Sequence, residues 1–191
     1  MSTKTCAIAI SAVFAASLIV TGCSHTITGA DGSKVTVGPN GHMETTDPNG
    51  NKVTMDTQGG TTTLQSKDAV AQVGNGTYSS HDNKGNSVAI GTGISEADLG
   101  LPFYPGSTEA PGGTKATNDK GATTVISYRN TNDDPSKVVE FYTAKLGKPD
   151  NTATIGAMAT ANWKQGKNTT ALMVQKVDNA QRITLMVGTE K

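Results

Sequence analysis

The sequence predicts an α+β fold in two parts: an antiparallel β-meander of nine-residue repeats, then a ββαβββ domain with one helix packed on an antiparallel sheet. Three observations lead there. Glycines stand at Gly32, Gly41, Gly50 and Gly59, and again at Gly76 and Gly85, so the chain repeats itself every nine residues. The period stops at Ile94, where "ISEADLGLPFYPGS" concentrates Leu, Phe, Tyr and two prolines. Beyond that, "DDPSKVVEFYTAKLGKP" carries helical spacing, and the runs around it carry strand spacing. The expected division is residues 1–22 as a signal segment, 23–93 as the repeat region and 94–191 as the second domain.

The N-terminus decides the expected location. After Lys4 the run "CAIAISAVFAASLIV" holds no charge and no proline, and it is shorter than the about 20 apolar residues that a spanning helix needs. A short basic start, an apolar middle and a small-residue end describe a secretory signal. It closes on "VTGCS", with Thr21 and Gly22 just before Cys23. That ending resembles the lipobox of bacterial lipoprotein precursors. The resemblance implies a diacylglyceryl thioether on Cys23, cleavage between Gly22 and Cys23, and acylation of the new amino group. Ser24, rather than Asp, after the cysteine implies export to the outer membrane of a Gram-negative host. Of the two cysteines, Cys6 would leave with the signal and Cys23 would carry lipid, so no disulfide is expected.

The repeats are read by register. Units such as "GSKVTVGPN" and "GNKVTMDTQ" place a β-branched segment before each turn. A calcium-binding nonapeptide roll would need more glycine and an aspartate in every turn, and "GPNG", "GNG" and "DTQG" lack that donor set. Pro-Asn-Gly suits a three-residue hairpin loop closed by a left-handed glycine. With that loop Val37 faces Met43, Val35 faces Thr45, Met43 faces Met55 and Thr45 faces Val53. A two-residue loop would send Met43 to the other side, and register is set by collecting apolar residues on one face. By the same rule "ADG" puts Ile27 opposite Val35, and "NKG" puts Tyr78 opposite Ile90. Where a residue is missing, Asn75-Gly76 makes a two-residue turn that sets Tyr78 opposite Val73. One face then gathers Ile27, Val35, Val37, Met43, Val53, Met55, Ala69, Ala71, Val73, Tyr78, Val88 and Ile90. The other is mostly Thr, Lys, Ser and Gln, and so weakly apolar a sheet calls for a partner surface. A two-strand β-solenoid and a mostly disordered polar stalk are the competing readings of the region.

In the second part a weak strand is expected over residues 107–117 and a stronger one over "ATTVISYR", with Thr124, Ile126 and Tyr128 on one face. Asp134 caps the helix, Pro135 sits in its first turn, and Gly147 with Pro149 ends it. Val138, Phe141, Tyr142 and Leu146 form its apolar stripe. Three strands follow in "ATIGAMATANWKQ", "TTALMVQKV" and "QRITLMVG", the first carrying Ile155, Ala157, Ala159, Ala161 and Trp163 on one face. "LGLPFYPGS" together with "DDPSKVVEFYTAKLG" resembles a small domain of bacterial secreted proteins and lipoproteins, with a Tyr-Pro-Gly turn and an Asp-Pro-x-Lys-Val-x-x-Phe-Tyr helix. That family has no established biochemical role, so the resemblance implies fold and boundary only.

Chemistry is sparse. His25, His42 and His81 match no metal-ligand spacing, and the second domain holds neither histidine nor cysteine, so no metal, cofactor or Ser-His or Cys-His nucleophile is expected. Asp133 and Asp134 read as helix-terminal anions, Glu96 and Asp98 as loop charges. Trp163 and Tyr104 are the candidate binding residues for a sugar or peptide, with core filling as the preferred reading of both. The chain balances 16 basic against 16 acidic residues, which offers no footprint for nucleic acid. The expectation is therefore a non-enzymatic outer-membrane lipoprotein, held in the membrane by its N-terminal lipid, that binds an envelope protein or peptidoglycan. An inhibitor of a cell-wall hydrolase such as lysozyme is the alternative.

Overall fold

The computed structural model describes residues 24–91 and 93–190; Gly22, Cys23 and the signal segment lie outside the described residues. Eight short strands come first: β1 (His25–Thr28), β2 (Lys34–Val37), β3 (Met43–Thr46), β4 (Lys52–Gln58), β5 (Thr61–Ser66), β6 (Ala69–Gly74), β7 (Thr77–Asp82) and β8 (Ser87–Ile90). Each pairs antiparallel with the next, as a meander and not a solenoid.

The registers are those that the hairpin argument requires. Val37 stands opposite Met43, Val35 opposite Thr45, Met43 opposite Met55 and Thr45 opposite Val53. Ile27 faces Val35, and Tyr78 faces both Val73 and Ile90. At "DPNGN" the Asp47 N–H donates to the Asn51 carbonyl at 2.9 Å and Gly50 adopts φ 83°, a three-residue loop with a left-handed close. The Asp47 carboxylate also accepts from the Asn49 and Asn51 N–H groups, so the turn consumes its charge locally. At "GPNGH" the loop has the same length, but Asn40 is left-handed as well, at φ 58°. Asn75 and Gly76, at φ 51° and 74°, make the two-residue turn.

The second part runs α1 (Glu96–Leu99), β9 (Thr108–Glu109), β10 (Thr114–Thr117), β11 (Thr123–Thr131), α2 (Pro135–Leu146), β12 (Asn151–Ile155), β13 (Met158–Gln165), β14 (Asn168–Val177) and β15 (Ala180–Thr189). Here the expected α+β division and its ββαβββ domain are corrected. All strands belong to one 15-stranded antiparallel sheet, in the order β1 to β8, then β10, β11, β15, β14, β13 and β12, with β9 beside β11. Among the described residues α2 is the one helix longer than a single turn, so the fold is an almost all-β sheet with a helix on part of one face.

Two local causes account for the difference. The expected weak strand over residues 107–117 is broken at Pro111-Gly112-Gly113, with Gly112 at φ 103°, and its second piece, β10, pairs with β8 on one side and β11 on the other. That pairing joins the repeats to the rest without a break in the ladder. The expected single strand through Ile155 and Trp163 is instead a hairpin: Gly156, at φ 59°, turns the chain so that Ile155 pairs with Met158. Ile155 is thus 69% exposed, while Ala159, Ala161 and Trp163 are buried.

The core lies under α2. Val138 and Tyr142 of the helix pack with Val125, Ala161, Leu172, Val174, Ile183 and Leu185 of the sheet, and Ile94, Leu99 and Tyr104 close the side. The helix forms where its signals place it. Asp134 accepts from the Ser136 N–H at 2.9 Å, Pro135 occupies the first turn, and Gly147 is the C-cap.

Candidate functional site

The residues that suggested chemistry are used up by structure. Trp163 is 4% exposed, and its indole N–H donates to the Gly147 carbonyl at 2.8 Å, which secures the end of α2 against β13. Tyr104 is 8% exposed; its ring meets Phe141 edge-on and its hydroxyl donates to Asp133 at 2.8 Å. Burial, and the Asp133 carboxylate beside it, push the Tyr104 phenol up to about 12. Asp133 in turn is held below the usual carboxylate range, chiefly by the Tyr104 hydroxyl and then by Lys137. Both candidate binding residues therefore face inward.

The carboxylates behave likewise. Asp98 completes a capping box with Ser95 and accepts from the Lys115 ammonium at 2.6 Å, contacts that together hold it well below the ordinary range. Glu96 accepts from the Phe103 N–H at 2.7 Å. The Ser-x-x-Asp signature of that box was readable in "SEAD" and marks α1. Asp133, read from sequence as a helix-terminal anion, instead tethers Tyr104; Asp134 does the capping. His42 meets Asp56 on the polar face, and no group of three His, Cys, Asp or Glu among the described residues is placed to hold a metal.

What the fold does build is a surface. Pairing puts Ile27, Val35, Val37, Met43, Val53, Met55, Leu64, Ala71, Val73, Tyr78, Val88 and Ile90 on one side of β1 to β8. Not one residue from His25 to Ile90 is buried. Ile27 is 62% exposed, Val37 49% and Val73 47%. Leu64, which the sequence argument left off the face, belongs to it as the partner of Met55 and Ala71.

The face carries no Lys, Arg or Glu within these strands. Its one carboxylate, Asp82, ends β7 and accepts from the Lys84 and Asn86 N–H groups of its own turn. Lys34, Glu44, Lys52 and Asp56 all project from the opposite side, where Lys52 pairs with Glu44 at 2.6 Å. The open face also continues past the repeats, because Ile90 neighbours Thr114, then Ile126, Met186 and Ala171 in one cross-strand row. Around Ile126, Tyr128, Met173 and Met186 it dips into a hollow of about 360 Å³. Helix α2 covers the other side of those strands, so this side stays bare.

No protein-family model matches the chain, and no curated protein matches it significantly. Among solved structures it is similar to a porin-like protein from Bacteroides uniformis, at 12% identity over 88% of this chain and 95% of that one, with a TM-score of 0.19. A score of that size describes no shared fold. No helix among the described residues is long and apolar enough to cross a membrane.

Proposed function

We propose that this chain is a non-enzymatic outer-membrane lipoprotein, anchored through acyl groups on Cys23, whose uncovered sheet face binds a protein in the envelope. The observation that carries the reading is eight consecutive strands without a buried residue, one side of which is mostly apolar and free of lysine and arginine. A sheet gains most of its stability by covering such a face, and a patch of this extent on a soluble protein marks an interaction surface. A glycan would ask for aromatic platforms and charged or amide groups, and the face of the repeats offers Tyr78 alone. Protein is the better-matched partner, since interface centres are poor in charge and rich in Met and Tyr.

The anchor is supported by "VTGCS" and by β1 starting two residues after Cys23, which would hold the sheet at the membrane surface. Two experiments test the reading. Labelled palmitate should enter the wild-type chain and not Cys23→Ala. A photo-crosslinking residue placed at Val37 or Val53 in cells should give a protein adduct that the same residue at Gln65, on the opposite side, does not give. Equal adducts from both sides, or none from Val37 and Val53, would remove the binding face.

A further inference from the structure

We infer that the occupant of this face is a second copy of the same chain, two sheets meeting open side to open side. The inference rests on reading the face as a binding surface and adds the identity of what binds.

Size is the first argument. From β1 through β8 and on through β10, β11, β15 and β14 there are 11 strand spacings along the sheet. At about 4.8 Å each they span roughly 50 Å, and strands of mostly four to seven residues give roughly 17 Å of height, so the open face covers on the order of 900 Å². A stable complex buries about 800 Å² on each partner. The repeats alone fall short of that figure, and the continuation over Ile126, Met186, Ala171 and Met173 brings the face up to it.

Charge is the second argument. The repeat part of the face presents no lysine, arginine or glutamate to answer a charged partner, and on its continuation Arg182 is already engaged, donating to the Asn130 side chain at 2.9 Å; a further charge buried against the repeats would stay unpaired. A second copy brings an equally charge-poor repeat face, on which the one carboxylate, Asp82, is held by its own turn. Anionic lipid is a poorer match, because surface-lying segments hold it with Lys and Arg flanking an aromatic-rich side, whereas Lys34, Lys52 and Lys115 point the other way.

Shape is the third argument. Aligned sheets stack about 10 Å apart when short aliphatic side chains interdigitate. Val, Met, Leu, Ala and Thr make up most of this face, and no bulky loop rises beside it in the repeats, where the turns hold two or three residues. The product is a β-sandwich whose core is shared between two chains.

The test uses the full-length chain in its own membrane, with Leu64→Cys at the middle of the repeat face and a short bismaleimide. The unsubstituted chain reports any background through Cys6 or Cys23, and Gln65→Cys reports the opposite side. The expected product has twice the chain mass, contains this sequence only by mass spectrometry, and is absent with Gln65→Cys. Adding Val53→Glu should lower its yield at least about tenfold, since the carboxylate would be buried unpaired; Val53→Thr, the same shape with a hydroxyl, should lower it less. A Leu64→Cys adduct with some other protein would overturn the second copy and leave the binding face standing. No adduct at Leu64, with none from the photo-crosslinking positions, would overturn both.

Discussion

Leu172 and Leu64 are the same residue in two environments, and truncating each to alanine measures how differently the two regions are held. Leu172 is 2% exposed under α2, beside Ala161 and Leu185. Losing three buried carbons forfeits about 2.4 kcal/mol at ~0.8 kcal/mol per carbon. A void of some 50–80 Å³ left beneath a helix adds about 1–2 kcal/mol at ~24 cal/mol per Å³. Leu172→Ala should therefore destabilise by about 3.5–4.5 kcal/mol. Leu64 is 38% exposed and opens on solvent, so its truncation leaves no void. In a single copy Leu64→Ala should cost at most about 1.5 kcal/mol. Urea unfolding followed by far-ultraviolet circular dichroism, at low and high protein concentration, separates the cases. A Leu172→Ala cost below about 1 kcal/mol would refute the helix-covered core. A Leu64→Ala cost that equals that of Leu172→Ala at low concentration would refute the single-layered sheet.

Other consequences follow from single contacts. An added methyl at Gly74 would sit 2.5 Å from the Gly60 carbonyl and 2.7 Å from the Thr61 Cα, so Gly74→Ala should cost about 1–3 kcal/mol and expose the β5–β6 hairpin to limited proteolysis. Trp163→Phe puts a smaller single ring in the buried site and removes the donor to Gly147, and should cost about 2–4 kcal/mol in the same urea titration, from the lost hydrogen bond and the space left behind. Tyr104 and Tyr142 both have phenols raised from 10.0 to about 12, chiefly by burial. A raised phenol means that the folded state holds its proton more tightly, so this contribution is complete below pH 10 and is lost from there to about pH 12. Alkaline unfolding should thus coincide with tyrosinate absorbance, and shift in Tyr142→Phe. On the acid side, Asp47 and Asp82 are lowered, first by the side-chain amides of Asn51 and Asn86, and Asp133 is lowered by Tyr104. Depressed carboxylates contribute above their unfolded value of 3.8 and lose that contribution as pH falls through their lower folded values, so thermal stability should hold to about pH 5 and decline below pH 4.

Register was the most legible property of this chain, because a hairpin loop one residue too long or short would have turned Met43 away from Val37. Asn75-Gly76 could be read for the same reason: a deletion must be absorbed by a turn of different length. The helix was legible from Asp134, Pro135 and Gly147, each of which acts over one turn. What escaped was decided at a distance or by one backbone angle. Nothing local in Thr114–Thr117 says that it will bridge β8 to β11, since Thr-Lys-Ala-Thr carries little pattern. Gly156 looked like a tolerated glycine in an alternating strand, whereas its left-handed conformation folds the strand back. Thr124, Ile126 and Tyr128 were correctly grouped, but the grouping could not say which side α2 would take; it takes the side of Val125 and Ser127. The candidate site suffered most, because Trp163 and Tyr104 drew notice as rare aromatics while the surface that stands open is made of ordinary valines and methionines.

The unbroken ladder from β1 to β12 turns the repeat number into a length. A nine-residue unit laid side by side adds one strand spacing, about 4.8 Å, where the same nine residues pulled straight would add roughly 30 Å. The distance between the chain's start and the helix-covered core is therefore set in small steps of one strand each. A single added unit would reverse the direction in which the chain enters β10, so only pairs of units can be gained or lost, and such a pair moves the core by about 10 Å.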